Sequence, residues 1–205
     1  ISAPLVVYNG AMVRAADSAQ PLYSFPVPCD VMCRVIEIAE ERGWYLQLYN
    51  DDRIVVSQVV EHTRADPDFR NAPCVEVGDL RRAALGPTPK LMTRAEPEEI
   101  VGRKALLQQL LGERLHLAAS SPRLLEMMHK EVTKARSLAR LCESLGLAPA
   151  DVVACGDSDN DTEMLTWAGM GCCMYNGLDS VKEQCGYVCQ NACSYGVLEV
   201  IERFF

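Results

Sequence analysis

One stretch of sequence decides the fold prediction: residues 151–165, which read DVVACGDSDNDTEML. Its first part, Val152 to Cys155, is a short apolar run bounded by turn residues, and such a run predicts a buried strand. Three aspartates and a glutamate then follow Gly156 and lead into a segment that predicts a helix. Ligands of open α/β sheets bind outside the carboxyl ends of the strands. The stretch therefore predicts a ligand site at the end of this strand.

The residue types in the stretch indicate which ligands would bind. Asp157 falls just past the predicted strand, and Asp161 falls in the first turn of the next helix, with Asn160 before it. Carboxylate and amide oxygens suit Mg²⁺, a hard cation that takes oxygen ligands and keeps some of its waters. The exposed N–H groups of a helix N-terminus suit a phosphate. A combined magnesium and phosphate site is the sharpest hypothesis for these residues.

Three plainer explanations compete with that hypothesis. Acidic residues are favoured at helix N-termini by the helix dipole alone, and Gly156 with Asn160 is also typical of an ordinary turn. The aspartates recur at EF-hand spacing as well, but Thr162 stands where that motif needs glycine and Ala168 where it needs a bidentate glutamate. The EF-hand is therefore disfavoured, whereas the first two explanations stay open at this point.

Lys134 is a second candidate site residue. It lies in the first turn of a predicted helix that Thr133 can cap and that ends near Gly146. A cation is disfavoured there by the helix dipole, so a nearby anion would explain its position. An ordinary surface lysine is the alternative, and the sequence pattern by itself leaves both open.

The remaining pattern predicts an α/β protein in two parts. After residue 133, strands and helices alternate, which predicts a parallel sheet with crossover helices. Residues 28–121 instead predict a mixed module of helices and hairpins, one of them turning at Asn50 to Asp52. We therefore predict a core from residues 1–27 and 122–205, with an inserted α/β domain at 28–121.

Composition bounds the function classes. The 205 residues are 49% hydrophobic and 23% charged, as in globular proteins, and a net charge of −8 argues against nucleic-acid binding. No apolar run is long enough to span a bilayer. The ten cysteines include no C-x-x-C pair, which favours a reduced intracellular chain, cytoplasmic or organellar. Cys185, Cys189 and Cys193 recur every four residues, so a metal stripe is the alternative for these three.

Residues 155–177 read CGDSDNDTEMLTWAGMGCCMYNG. Three further segments are residues 6–13 (VVYNGAMV), residues 120–141 around Lys134, and the closing YGVLEVIERF of residues 195–204. All four resemble segments of one known family, the Cof-type phosphatases of the haloacid dehalogenase (HAD) superfamily, and residues 155–177 are similar to its last signature motif. The resemblance implies a HAD-like Rossmannoid core of parallel strands with an inserted α/β cap domain that selects the substrate.

The resemblance also implies a chemistry. Members of the family hydrolyse phosphate monoesters of small metabolites through an aspartyl-phosphate, with Mg²⁺ as cofactor. Carried over, Asp157 is a Mg²⁺ ligand and Asp161 supports the metal or its waters. Asn160 helps to hold the loop and the phosphate, and Lys134 neutralises charge on the nucleophile and the phosphoryl group. Asn9 and Gly10, in the strand-turn segment, join Lys134 and Asn160 as candidate substrate-binding residues.

The family's nucleophile motif, Asp-x-Asp, has no counterpart at the end of a first strand here. Asp157-Ser158-Asp159 belongs to the acidic stretch, and Asp66-Pro67-Asp68 lies in a polar segment. The chain begins within an apolar run, so we expect the motif upstream of Ile1 and expect the printed residues alone to be inactive.

Two alternatives keep the HAD fold: a non-catalytic protein that binds a ligand or partner, and a phosphosugar mutase. Substrate identity and oligomeric state stay open. Tyr45, Tyr49, Arg70 and Arg94 are candidate specificity residues, and a structural or solvated role is the favoured alternative for each.

Overall fold

The computed structural model describes residues 3–15, 18, 20–65, 72–83 and 86–205. They divide into two compact units: Ile1–Leu22 with Thr133–Phe205, called the core unit below, and Tyr23–Val132, called the inserted unit. Among the described residues, no helix combines the length and the apolar character that crossing a membrane would require.

The chain starts with a three-stranded sheet in the order β1-β2-β3, comprising β1 (Leu5–Val7), β2 (Met12–Arg14) and β3 (Pro21–Ser24). β1 and β2 are antiparallel, with Val6 opposite Val13. The turn between them contains one turn of 3-10 helix, Tyr8–Gly10, whose φ angles are 53°, 55° and 101°. Left-handed backbone of this kind favours glycine and asparagine, which accounts for Asn9 and Gly10 at these positions.

The inserted unit is built on a six-stranded sheet in the order β6-β5-β4-β7-β9-β8. Its elements are α1 (Cys29–Glu41), β4 (Gln47–Asn50), β5 (Arg53–Val56), α2 (Glu61–Arg64), β6 (Cys74–Glu76), α3 (Leu80–Ala83), β7 (Lys90–Arg94), α4 (Pro97–Leu111), β8 (Leu115–Ser121) and β9 (Leu124–His129). Leu48, Leu91 and Met127 bury one sheet face in a single core with apolar residues of α1 and α4. The predicted hairpin turns at Asp51 and Asp52, both with positive φ.

The inserted unit is longer than the predicted 28–121. Residues 122–132 were assigned to the core, but β9 pairs with β7 and β8, so this segment completes the sheet of the inserted unit. At the other end, the Phe25 ring lies 6.3 Å from the His129 ring, which joins residues before Val27 to the same unit. The prediction missed both ends because an apolar strand pattern does not say which sheet the strand joins.

The rest of the core unit alternates helices and strands: α5 (Lys134–Ser144), β10 (Val153–Gly156), α6 (Thr162–Trp167), β11 (Met170–Cys173), α7 (Asp179–Lys182), β12 (Tyr187–Val188) and α8 (Cys193–Phe204). The predicted parallel sheet is confirmed, in the order β10-β11-β12. Gly156 is in register with Cys173, so β10 and β11 end at the same edge. That edge carries the acidic stretch.

The cysteines proposed as a metal stripe lie on separate elements. Cys185 follows α7, Cys189 follows β12 and Cys193 begins α8, so they do not share a helical face. Burial raises the pKa of Cys185 and of Cys189 to about 11, which keeps both thiols protonated at neutral pH. Within the described ranges, no group of three or more His, Cys, Asp or Glu side chains is placed to hold a metal ion.

Candidate active site

The acid loop, residues 157–161, connects β10 to α6. Its last three residues form a turn of 3-10 helix, and α6 begins at Thr162. Gly156 makes this tight return possible, because a Cβ atom there would lie 2.5 Å from the Cβ of Asp161. The loop therefore folds Asp161 back over the end of its own strand.

Asp161 organises the loop. Its Oδ2 accepts hydrogen bonds from the backbone N–H groups of Asp157 (3.1 Å) and Ser158 (3.2 Å). The Ser158 hydroxyl lies 3.2 Å from the same oxygen. Asp161 is buried, with 5% of its surface exposed, and these donors replace the water that the carboxylate loses.

Lys134 holds the other oxygen of Asp161. Its Nζ lies 2.5 Å from Asp161 Oδ1, and its side chain keeps 29% of its surface exposed. Thr133 caps α5 as predicted, because its hydroxyl accepts from the N–H of Arg136 at 3.2 Å. The cation in the first turn of α5 is thus compensated by the carboxylate of the acid loop.

The pKa of Asp161 reflects opposing causes. Burial alone would raise the pKa of this carboxyl. The hydrogen bond from Lys134 and those from the Asp157 and Ser158 amides outweigh burial, so the pKa of Asp161 lies below its ordinary value. Asp161 is therefore an anion at neutral pH and forms an ion pair with the lysine.

Asp157 is half-buried, and each of its carboxylate oxygens has a hydrogen-bond donor. Asn176 donates from Nδ2 to Asp157 Oδ2 at 3.2 Å, and the Ser158 hydroxyl lies 3.2 Å from Oδ1. The same hydroxyl also reaches Asn160 Oδ1 at 3.0 Å. Because a hydroxyl has one proton, Ser158 can serve only one of these acceptors at a time.

A cavity of about 320 Å³ opens beside Lys134 in the core unit. It brings together three of the predicted site residues, Asn9, Gly10 and Lys134, and its remaining lining comes from Val6, Val7, Tyr8, Leu138 and Met164. The turn at Gly10 packs directly on the start of α5, because Ser137 Oγ donates to Gly10 O at 2.5 Å. The structure therefore joins two distant parts of the sequence at Lys134.

The donor set suits Mg²⁺ in part. Asp157 offers a half-exposed carboxylate whose Oδ1 shares the Ser158 hydroxyl with other acceptors, whereas Asp161 is buried and both of its oxygens have donors. Mg²⁺ sites commonly use one or two carboxylates together with waters and substrate phosphates, rather than a full protein cage. The described residues thus fit one protein ligand of such a site. The prediction that Asp161 also binds the ion stays a prediction.

The other two aspartates of the stretch lie away from the contact between Lys134 and Asp161. Asp151 ends a 3-10 turn before β10, and its carboxylate accepts from the N–H of Ala148 at 2.9 Å. Asp159 is exposed, and Ser180 Oγ donates to its Oδ1 at 3.4 Å.

Sequence reasoning assigned no role to Ser158 or Asn176, although both contact Asp157. A signal for Asn176 existed, because it follows the strand next to β10 and parallel strands present their carboxyl ends at one edge.

The candidate specificity residues belong to the inserted unit. The Tyr45 ring is tilted against the His62 ring, with 5.5 Å between their centroids, and the Lys90 ammonium lies 4.3 Å from the centre of the Tyr49 ring. Arg94 ends β7. Arg70, and with it Asp66 and Asp68, lies outside the described residues.

Comparison with known proteins decides the family. The sequence profile of the haloacid dehalogenase-like hydrolases matches residues 1–201. The chain belongs to that family. A crystal structure of a haloacid dehalogenase-like hydrolase from Bacteroides thetaiotaomicron superposes with a TM-score of 0.89 at 25% identity, covering 100% of this chain and 77% of that one. The predicted HAD-like core with an inserted α/β cap domain is thereby confirmed.

Curated relatives of this haloacid dehalogenase-like hydrolase are named as phosphatases. The 5-amino-6-(5-phospho-D-ribitylamino)uracil phosphatase YitU of Bacillus subtilis is 27% identical over 212 residues, which cover 100% of this chain and 77% of YitU. An HMP-PP phosphatase of Yersinia pestis is 28% identical over 185 residues, covering 88% of this chain and 65% of the relative.

Proposed function

We propose that this chain carries the metal- and phosphate-binding part of a Mg²⁺-dependent phosphatase that acts on a small phosphorylated metabolite. One observation supports this most strongly: Lys134 lies 2.5 Å from Asp161, beside a loop that presents the half-exposed Asp157. A cation and an available carboxylate at the carboxyl end of parallel strands are what a phosphate ester with its metal requires.

Lys134 has the capacity to bind phosphate while it stays paired. An ammonium group has three N–H donors, and Asp161 accepts one of them. The remaining two can donate to phosphate oxygens from the side of Lys134 that faces the cavity with Asn9 and Gly10. A lysine acts on phosphate as a point charge, so it would offset charge that develops on the phosphoryl group.

In this proposal the acid loop holds the metal- and phosphate-binding groups in place before substrate binds. Asp161 holds the loop amides and Lys134, Asn160 lies beside the phosphate, and Asp157 binds the metal. Bound Mg²⁺ would neutralise charge on the phosphoryl oxygens and help to orient the substrate. Because the loop is already hydrogen-bonded, little reorganisation is needed when substrate arrives.

In the proposed reaction the nucleophile would be an aspartate, and it would form the aspartyl-phosphate. The relatives' names support the substrate class, since they include phosphatases for a phosphorylated ribitylaminouracil and for HMP-PP. In this proposal the inserted unit is the cap that selects the substrate, with Tyr45, Tyr49 and Arg94 as candidate selecting residues.

The test uses the full-length gene product and p-nitrophenyl phosphate, a generic phosphate monoester. We expect phosphate release with Mg²⁺, loss of release in EDTA and recovery when Mg²⁺ is restored. Equal rates in EDTA would contradict the metal-dependent proposal. Saturable binding of phosphate esters without any release would favour the non-catalytic alternative instead.

A further inference from the structure

Three hydrogen bonds hold the turn after β11 against the end of β10 and the acid loop. Met174 N donates to Gly156 O at 3.0 Å, and Leu178 N donates to Asp157 O at 3.0 Å. The third is the side-chain hydrogen bond from Asn176 to Asp157 Oδ2 at 3.2 Å. Two backbone bonds therefore hold the turn against the loop, and one side-chain bond reaches the candidate metal ligand itself.

The close approach depends on Gly177. A Cβ atom at this position would lie 2.5 Å from Cys173 Sγ and 3.2 Å from the Cα of Asp157. A side chain at this position would clash with Cys173 Sγ and crowd the backbone of Asp157, so the turn favours glycine here. The path of the backbone therefore places the short side chain of the neighbouring Asn176 next to the Asp157 carboxylate.

The other end of the Asn176 amide is also occupied. Its Oδ1 accepts from the N–H of Cys193 at 3.0 Å, where α8 begins. Cys193 has a φ angle of 49°, a left-handed conformation that is uncommon for a residue other than glycine. With the amide oxygen of Asn176 accepting from Cys193, the amide nitrogen faces Asp157.

A fixed donor at one carboxylate oxygen has a consequence for the other. Asn176 holds Oδ2 of Asp157, whereas Oδ1 is contacted by the Ser158 hydroxyl, which can rotate to Asn160 or Asp161 instead. Oδ1 is therefore the oxygen that can be released to an ion. Groups that orient a metal ligand in this way generally strengthen metal binding without touching the metal.

We propose that Asn176 is a positioning residue that bridges Asp157 to the start of α8 and orients the carboxylate for a divalent cation. This inference rests on the proposed function, because it takes Asp157 as the metal ligand. It adds a residue 19 positions beyond Asp157 and joins α8 to the metal site.

The test measures Mn²⁺ binding to the full-length gene product and needs no catalytic readout. The EPR signal of free Mn²⁺ reports how much of the ion stays unbound. Mg²⁺ competition shows whether Mg²⁺ occupies the same site. We expect Asn176→Ala to weaken Mn²⁺ binding by about 10- to 100-fold, as is typical when an orienting partner is removed. The matched control is Ser180→Ala, which removes a hydrogen bond from the same region to Asp159 and should leave Mn²⁺ affinity within about twofold.

The outcomes separate this inference from the proposed function. If wild type binds Mn²⁺ and Asn176→Ala binds it equally well, the positioning role is overturned while the proposed function stands. Equal weakening by Asn176→Ala and Ser180→Ala would show a general structural effect and would also overturn it. If wild type binds no divalent cation, the metal part of the proposed function fails as well.

A second variant keeps the test decisive if Asn176→Ala does not fold. Asn176→Asp retains an acceptor for Cys193 but loses the donor to Asp157 and places a second carboxylate beside it. The two anions repel until a cation binds, so Mn²⁺ should raise the unfolding temperature of this variant more than that of wild type. An equal rise in both proteins would count against the proposed contact.

Discussion

Lys134 and Asp161 form a direct ion pair, with 2.5 Å between Nζ and Oδ1, across 27 residues of sequence. The pair connects the first turn of α5 to the acid loop, and it compensates two groups that would be unfavourable alone. The lysine faces the positive end of a helix dipole, and the aspartate is buried. Each residue therefore depends on the other, and this dependence can be measured.

A double-mutant cycle should show that dependence. We expect Lys134→Met and Asp161→Asn to be non-additive in urea unfolding, with a coupling free energy of about 1–3 kcal/mol. The matched control is the more exposed pair of Lys182 and Asp179 in the same unit, which should couple by less than about 0.5 kcal/mol. Additive effects of Lys134→Met and Asp161→Asn would contradict the ion pair.

Gly10 should be hard to replace. Its φ angle is 101°, and a Cβ atom there would lie 2.6 Å from Thr133 O and 2.8 Å from Ser137 Oγ. We expect Gly10→Ala to lower the free energy of unfolding by about 3 kcal/mol, because backbone strain and overpacking add. Gly146→Ala is the control, since Gly146 also has positive φ but no heavy atom within 4 Å of the added Cβ. It should cost only about 1 kcal/mol. Equal losses in thermal or urea unfolding would contradict the close packing of this turn on α5.

Glu199 should make stability depend on pH in the acid range. Hydrogen bonds lower the pKa of Glu199 to about 2. The largest effect comes from the Tyr187 hydroxyl, and smaller ones come from the N–H of Gln190 and the side chain of Asn191. A lowered folded-state pKa means that the unfolded chain binds the proton more readily, so the contribution is complete above the ordinary glutamate pKa. It is lost as pH falls toward 2.

The corresponding variant is Glu199→Gln. Its unfolding midpoint in urea should lie below that of wild type at pH 6. The difference between the two midpoints should shrink as the pH is lowered toward 2. A difference that stays constant over this range would show that the Glu199 charge does not anchor residues 190 and 191 to α8.

The inserted unit has its own buried ion pair. Lys90 Nζ lies 2.8 Å from Glu126 Oε1, with only 11% and 7% of the two side chains exposed. We expect Lys90→Met to destabilise the unit by about 3–5 kcal/mol, since it leaves a buried carboxylate without its cation. The double variant Lys90→Met with Glu126→Leu should recover most of that loss. A double variant as unstable as the single one would contradict this explanation.

The sequence could predict which elements form the site, but not which atoms meet. The acid loop and Lys134 were identifiable because a strand end and a helix start are local patterns. Their ion pair was not, because it depends on how α5 packs against the loop. The same limit explains β9: its apolar pattern predicted a strand, whereas its partners in the sheet are set by long-range packing. Asn176 lies in the segment that resembles the family's last motif, but its role was not predicted, since its contact with Asp157 arises from strand register.

The measurement that tests the central claim most directly compares two aspartates of one loop. In the full-length gene product, Asp157→Ala should lower kcat for Mg²⁺-dependent release of phosphate from p-nitrophenyl phosphate by about 100-fold or more, as expected for loss of a group that stabilises transition-state charge. Asp159→Ala, which changes an exposed carboxylate two residues away, should leave kcat within about threefold. Similar rates for wild type and Asp157→Ala, or a larger loss for Asp159→Ala, would contradict the assignment of the site.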